Sequence, residues 1–366
     1  MKLKFVLPVL LLTACLGACG GTSASTDTTT TDPGTTVTTP DTSGGTTGPA
    51  VKSAADAQTD RIVDAANAFL ATLTTAQKTA VQYAWTDSAQ RAGWSNFPTG
   101  IFQRAGVRWG GLTSTQRAAL TTLLGAVLSE DGLKNVQEQM TADDVLKSQG
   151  GGNLTFGSDE YYVAFLGTPS TTTGWTLQFG GHHLALNATV AGANVTLAHS
   201  LTGGQPVRYT QNGTSVNIVE PEVTDAYALV GSFASTQKTK AVLSTQSIDL
   251  VLGPGHDGQT LQAEGLSASE MTEAQRAQLL ALIRDRLGML NADDVAAKMS
   301  AIEQNLDRTS FAWYGSTTAG GTAYWRVTGP TVIMEFSPQS MGGDATNHIH
   351  SMYRDPTDEY GAADVQ

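Results

Sequence analysis

The sequence predicts an α+β fold with a pseudo-two-fold repeat. Each half would be two helices followed by an antiparallel β-ribbon, with the ribbons packed or paired centrally. Three observations carry this. Hydrophobic residues recur at helical spacing up to about Lys147 and switch to strand-like runs from Tyr161. The helical segment L-T-S-T-Q-R-A-A-L-T-T-L-L (Leu112 to Leu124) returns as M-T-E-A-Q-R-A-Q-L-L-A-L-I (Met271 to Ile283), and T-A-D-D-V (Thr141 to Val145) returns as N-A-D-D-V (Asn291 to Val295). The strand segment Y-V-A-F-L-G-T (Tyr162 to Thr168) has its match in F-A-W-Y-G-S-T (Phe311 to Thr317), and Trp175 has its match in Trp325. The two halves so defined span about 112–200 and 271–340.

The chain opens M-K-L-K and continues F-V-L-P-V-L-L-L. A short basic head and a brief apolar run form an export signal, too short to span a bilayer. Residues 1–18 are read as a lipoprotein signal peptide with Cys19 as the lipidated first residue. Cys15 sits in a similar L-T-A-C context but still within the apolar run, whereas Cys19 leads directly into polar sequence. Gly20 replaces the Asp that commonly retains such proteins at the inner membrane, so the expected location is the outer membrane or cell surface. Residues 19–53 are Thr, Gly, Ser, Asp and Pro with almost nothing apolar to bury, and read as a disordered tether. Residues 54–366 remain for one folded domain.

Within it, Ile62, Val63, Ala66, Phe69 and Leu70 mark a first helix, and a second starts after Thr74 or Thr75. The aromatic loop W-S-N-F-P (Trp94 to Pro98) breaks the pattern. A helix follows Thr113, with Leu120, Leu123, Leu124 and Val127 on one face, and Asp131 to about Lys147 continues helical. Y-Y-V-A-F-L, G-W-T-L-Q-F, L-A-L-N-A-T-V and N-V-T-L then read as consecutive strands.

Composition narrows the chemistry. No Cys follows Cys19, so the mature domain has neither disulfide nor thiolate ligand, and a metal must be held by His, carboxylate, amide or backbone oxygen. The net charge is −12, and the basic residues are scattered, which argues against nucleic acid and against a membrane contact beyond the lipid anchor. G-x-S-x-G and H-E-x-x-H are both missing.

Four of the six histidines fall in two runs, F-G-G-H-H-L (Phe179 to Leu184) and N-H-I-H-S (Asn347 to Ser351). In a strand, residues i and i+2 share a face, so His348 and His350 would form a pincer. His182 or His183 would close a three-imidazole site for a divalent metal, Zn or Cu. In a regular strand His182 and His183 face opposite ways, unless Gly180-Gly181 hosts a bulge. Glu335, in the apolar run I-M-E-F, is a candidate fourth ligand or general base, and Asp344 a weaker one. Gln178 and Asn187 flank the His pair and are candidates to orient imidazoles. Arg354 is a candidate for recognising a substrate carboxylate or for a local ion pair. Trp94, Trp109, Trp175, Trp313 and Tyr314 either line a polymer-binding surface or fill the core.

The runs W-T-L-Q-F-G-G-H-H-L-A-L-N (Trp175 to Asn187), G-P-G-x-D-G (Gly253 to Gly258), E-F-S-P-Q (Glu335 to Gln339) and N-H-I-H-S-M-Y-R-D-P (Asn347 to Pro356) together resemble the family known as domain of unknown function 3500. The resemblance covers about residues 58 to 361 and implies a secreted protein, bacterial or fungal, with no established activity. The expected function is therefore a cell-surface metal-dependent enzyme, most simply a hydrolase of a small-molecule or polymer substrate, with oxidative copper chemistry as a variant. The competing readings are a metal-handling lipoprotein and a non-catalytic adhesion or scaffold module.

Overall fold

The first helix, α1 (Ala57–Thr72), starts where Asp56 accepts a hydrogen bond from the Thr59 amide (2.8 Å), and it buries Ile62, Val63, Ala66 and Phe69 on one face. The structure, a computed structural model, describes residues 45–366 apart from 151, 152 and 342. The signal, Cys19 and the tether as far as residue 44 lie outside the described residues.

Then come α2 (Thr75–Val81), β1 (Gln82–Tyr83), α3 (Ser88–Arg91), β2 (Val107–Arg108), α4 (Ser114–Val127) and α5 (Glu130–Gln149). Thr113 opens α4 with a capping box closed by Gln116, and Leu120, Leu123, Leu124 and Val127 are buried as their spacing predicts. The strands β3 (Tyr162–Leu166), β4 (Trp175–Gly181), β5 (Leu184–Ala191), β6 (Asn194–Thr196) and β7 (Ser200–Gly204) follow, then the hairpin β8 (Arg208–Gln211) and β9 (Thr214–Asn217). A second series continues with α6 (Glu220–Ser232), α7 (Ser235–Ala241), β10 (Val242–Ser244), β11 (Leu266–Ser267), α8 (Glu273–Leu287) and α9 (Ala292–Gln304). It ends with β12 (Ser310–Gly315), β13 (Ala323–Gly329), β14 (Val332–Pro338) and β15 (Ile349–Arg354).

The helix ends of the two series are tied in the same way. Gln116 Nε2 donates to Thr72 O (3.0 Å) and Gln77 Oε1 (2.9 Å). Gln275 Nε2 donates to Ser232 O (3.0 Å) and Gln237 Oε1 (3.0 Å). Both glutamines are buried, and each satisfies a helix-terminal carbonyl that would otherwise lack a partner.

The strands do not form two separate ribbons. They join in one mixed sheet of thirteen strands, with the order β1-β3-β4-β5-β7-β15-β14-β13-β12-β10 and with β2, β6 and β11 beside it. β1 pairs in parallel with β3 and β10 in parallel with β12, and the other pairings are antiparallel. β7 meets β15 in the middle, where Thr202 lies opposite Ser351. This pairing leaves neither strand as an exposed edge.

Both faces of the sheet are covered. Trp175, Leu177 and Phe179 of β4, and Ile349 and Tyr353 of β15, join the main core with the helices. Side chains alternate along a strand, so His350 and Met352 project to the other face, where Met352 packs with Trp94, Ala185, Leu201 and Leu250. That face is roofed by two irregular segments, about residues 84–106 and 245–265. Irregular backbone in a buried layer needs hydrogen-bond partners, and polar side chains on the sheet supply them. Trp94, Trp175 and Trp313 are buried, which places them in the core rather than on a binding surface.

Candidate metal centre

Gly181 pairs with Leu184, so His182 and His183 form the two-residue turn of the β4–β5 hairpin. They are not strand residues with opposite facings. His183 takes the left-handed conformation (φ 62°), which costs a non-glycine residue of the order of 1 kcal/mol and holds its ring at one angle to the turn. Gly181 is required by packing, because a Cβ there would lie 2.7 Å from the Tyr161 ring. Farther along the chain, the turn Ala345–Asn347 leads into His348, Ile349 and His350 at the start of β15.

The turn and the strand bring three imidazoles together. His183, His348 and His350 are all buried, and each offers a ring nitrogen within 4.8 Å of the others'. His183 Nε2 lies 2.9 Å from His348 Nε2, and the ring centroids of His183 and His350 are 5.0 Å apart. His348 Nδ1 is 2.7 Å from the Met341 carbonyl, to which it must donate, leaving the Nε2 lone pair toward His183. Asn96 Nδ2 lies 3.4 Å from both ring nitrogens of His350, and Asn96 O accepts from the His183 amide at 3.4 Å.

These rings are held uncharged. Burial pushes the His183 pKa well below the ordinary imidazole value, and the neighbouring His182, His350, His348 and Arg104 push the same way. Burial, then His348 and His182, do the same for His350. His348 is also lowered, chiefly by burial, against the opposing effect of its bond to Met341. Three neutral imidazoles with ring nitrogens within 4.8 Å of one another are a donor set that could hold zinc or copper. Two bonds of about 2.1 Å at a tetrahedral angle set their nitrogens about 3.4 Å apart, so the His183–His348 pair, now in hydrogen-bond contact at 2.9 Å, would open slightly to hold zinc.

His182 stands beside this group. Its Nδ1 lies 2.7 Å from Asp143 Oδ1, while Asp143 Oδ2 accepts from the Gly157 amide at 2.7 Å. Its ring lies against His183, with centroids 3.7 Å apart. Asp143 thus fixes His182, and His182 backs the ring of His183.

The other predicted residues are employed differently. Glu335 is fully buried, and its carboxylate accepts from the amides of Val251 (2.7 Å) and Leu252 (2.8 Å) and from the Tyr324 hydroxyl (2.7 Å). It fastens the 245–265 segment to the sheet and is outside the imidazole group. Asp344 is exposed, accepts from Thr346 and pairs with Arg208 (3.2 Å). Gln178 and Asn187 do not orient the imidazoles of the pair. Gln178 accepts from Gln90 (2.8 Å) and donates to Arg91 O (3.0 Å) and Asn187 Oδ1 (2.9 Å), and Asn187 donates to His199 O (3.0 Å). They anchor the 84–106 segment as Glu335 anchors the other. Arg354 is buried and donates to the carbonyls of Leu252 (3.0 Å), His256 (3.0 Å) and Gly253 (3.3 Å), with Glu359 at 3.4 Å, so its guanidinium is committed to structure. His256 bonds Gln259, and His199 lies fully buried near Glu359 (3.3 Å) and Asp257 (3.7 Å).

Sequence reasoning passed over Asn96, Arg104, Asp143 and the Met341 carbonyl. Asp143 carries a signal, the A-D-D-V run, but within the sequence that run marks only the repeat. Asn96 lay in the aromatic loop, with nothing in the sequence to link it to a histidine about 250 residues away.

A two-faced α+β sheet that joins three imidazoles from distant segments defines this molecule as a candidate metal-binding protein. The family model described as protein of unknown function (DUF3500) matches residues 55–362, and the chain belongs to that family. Neither a curated protein nor a solved structure matches it.

Proposed function

We propose that the protein is a metal-dependent enzyme of the cell surface, most simply a hydrolase. The observation that carries this reading is the buried group of His183, His348 and His350, uncharged and supplied by two distant segments of the chain. These three imidazoles would hold a zinc or copper ion, which would supply the acidity needed to activate water for hydrolysis. The chain's own residues do the positioning. Met341 O sets the tautomer of His348, Asn96 touches both His350 and the His183 turn, and Asp143 holds His182 against His183. With the Glu335 carboxylate already accepting three hydrogen bonds, the histidine cluster itself is the chemical centre of the proposal.

Metal analysis of protein made without a polyhistidine tag tests it. One zinc or copper per chain is expected, with hydrolysis of an activated ester that stops on chelation and returns with metal. A tightly bound ion without turnover would favour the metal-handling reading, and no ion at all the scaffold reading. We also propose export with acylation of Cys19, supported by the signal and lipobox pattern. The mass of the mature N-terminus decides it, an unacylated start being the contrary result. Among the described residues no helix is long and apolar enough to cross a membrane.

We further infer that the two halves arose as a repeat related by a pseudo-two-fold axis between β7 and β15. Three things support it: the sheet order reads alike from either edge, β1 and β10 are both parallel, and Gln116 and Gln275 make matching bonds. An experimental structure in which the two series fail to superpose would overturn it.

A further inference from the structure

Arg104 belongs to the 84–106 segment and has no part in the imidazole group, yet it is buried at the point where that segment meets the His182–His183 turn. Its Nη2 lies 2.7 Å from each of three carbonyl oxygens, those of Ser95, Phe97 and Gly181. One nitrogen with two hydrogens serves three acceptors, so one hydrogen bond is shared, and the positive charge binds the whole cluster. Two of these carbonyls flank Asn96. The third comes immediately before the His182–His183 turn.

We propose that Arg104 is the positioning residue of the centre, a staple that fixes the Asn96 loop and the His183 turn to one another. Without the guanidinium, three carbonyl dipoles converge with no donor between them and repel. The Ser95–Phe97 loop and the Gly181 end of the hairpin then separate. The bond from the His183 amide to Asn96 O, already long at 3.4 Å, is the first to break. Asn96 withdraws from His350, and the left-handed turn loses the contact that holds the ring of His183 toward His348. Burial lowers the Arg104 pKa to about 10, which still leaves it charged at neutral pH. Its Nη1 has no hydrogen-bond partner among the described residues. Nη2 is therefore the atom that acts.

The staple itself needs no metal, whereas its effect on metal affinity rests on the function proposed above. The test uses Arg104→Met, which keeps the apolar stem, and Arg104→Lys, which keeps the charge and fewer donors. Amide hydrogen exchange on metal-free protein should rise about tenfold or more at His183 in Arg104→Met, by local opening, while the amide of Leu279 in α8 stays unchanged. Arg104→Lys should fall between that variant and the wild type. Cobalt titration should show affinity reduced by about 10- to 100-fold with an altered visible spectrum, the range seen when a partner outside the ligand set is lost. Wild-type exchange at His183 in a folded Arg104→Met protein overturns the proposal. If that variant does not fold, wild-type exchange in Arg104→Lys overturns it instead. A wild-type protein that takes up no cobalt counts against the metal centre, and the exchange result still decides the role of Arg104.

Discussion

Replacing both His348 and His350 by alanine is expected to abolish stoichiometric metal binding while the chain still folds. The double variant leaves His183 as the one imidazole of the group, and a single imidazole does not hold zinc stoichiometrically at micromolar concentration. The fold should survive because the two rings lie at the loop-covered end of β15 and outside the hydrophobic core, which is closed by Ile349 and Tyr353 on the opposite face. A stability cost of about 1–3 kcal/mol is expected for removing two buried rings. Calorimetric titration with zinc, together with thermal unfolding in metal and in chelator, reads both effects. Metal at about 100 times its Kd stabilises the wild type by about 2.7 kcal/mol, and the double variant should show no such difference. The pH dependence follows from the direction of the shifts. An ordinary imidazole is half protonated near pH 6.5, but burial lowers all three of these rings. Wild-type binding should thus persist at pH 6 and weaken only as the pH falls further toward the lowered values. Full-stoichiometry binding by the double variant would sink the metal centre.

Glu335 gives the second large effect, and it is an effect on stability. In Glu335→Ala the amides of Val251 and Leu252 and the hydroxyl of Tyr324 lose their acceptor in a buried layer. Each unsatisfied buried group costs about 1–3 kcal/mol, and breaking a buried charged network by removing one partner costs about 3–5 kcal/mol in all. Urea unfolding should show a loss in that range, with the zinc stoichiometry unchanged. Glu335→Gln keeps one acceptor oxygen and should lose less. The opposite pattern, a stable Glu335→Gln protein that binds metal and has lost hydrolytic activity, would restore Glu335 as a general base.

The helices were legible because their period and caps are local. Ile62, Val63, Ala66 and Phe69 repeat at helical spacing, Thr113 and Gln116 form a box within four residues, and the structure has both features. The strands were legible as apolar runs, but not as a sheet buried on both faces. Continuous apolar runs fit that burial as well as they fit a ribbon. The same ambiguity leaves structural and functional roles both open for Glu335, Gln178, Asn187 and Arg354. A polar residue in an apolar strand must be paired, and the sequence does not tell whether its partner is a substrate, a metal or a stretch of roofing backbone. Here it is the roofing backbone.

For the histidines, the division between sequence and fold runs through single residues. The chain by itself excluded thiolate as a ligand, because no Cys follows Cys19, and put four of its six His in two runs. It also determined the family, through long contiguous motifs. Only the tertiary structure decided that His183 joins the group and His182 does not. That choice depends on a two-residue turn, on the left-handed backbone of His183 and on the carboxylate of Asp143, 39 residues earlier, which captures the other ring. Ligand identity is set within a few ångströms and by angle. Residues far apart in the chain acquire such relations only when β7 pairs with β15 in the one sheet.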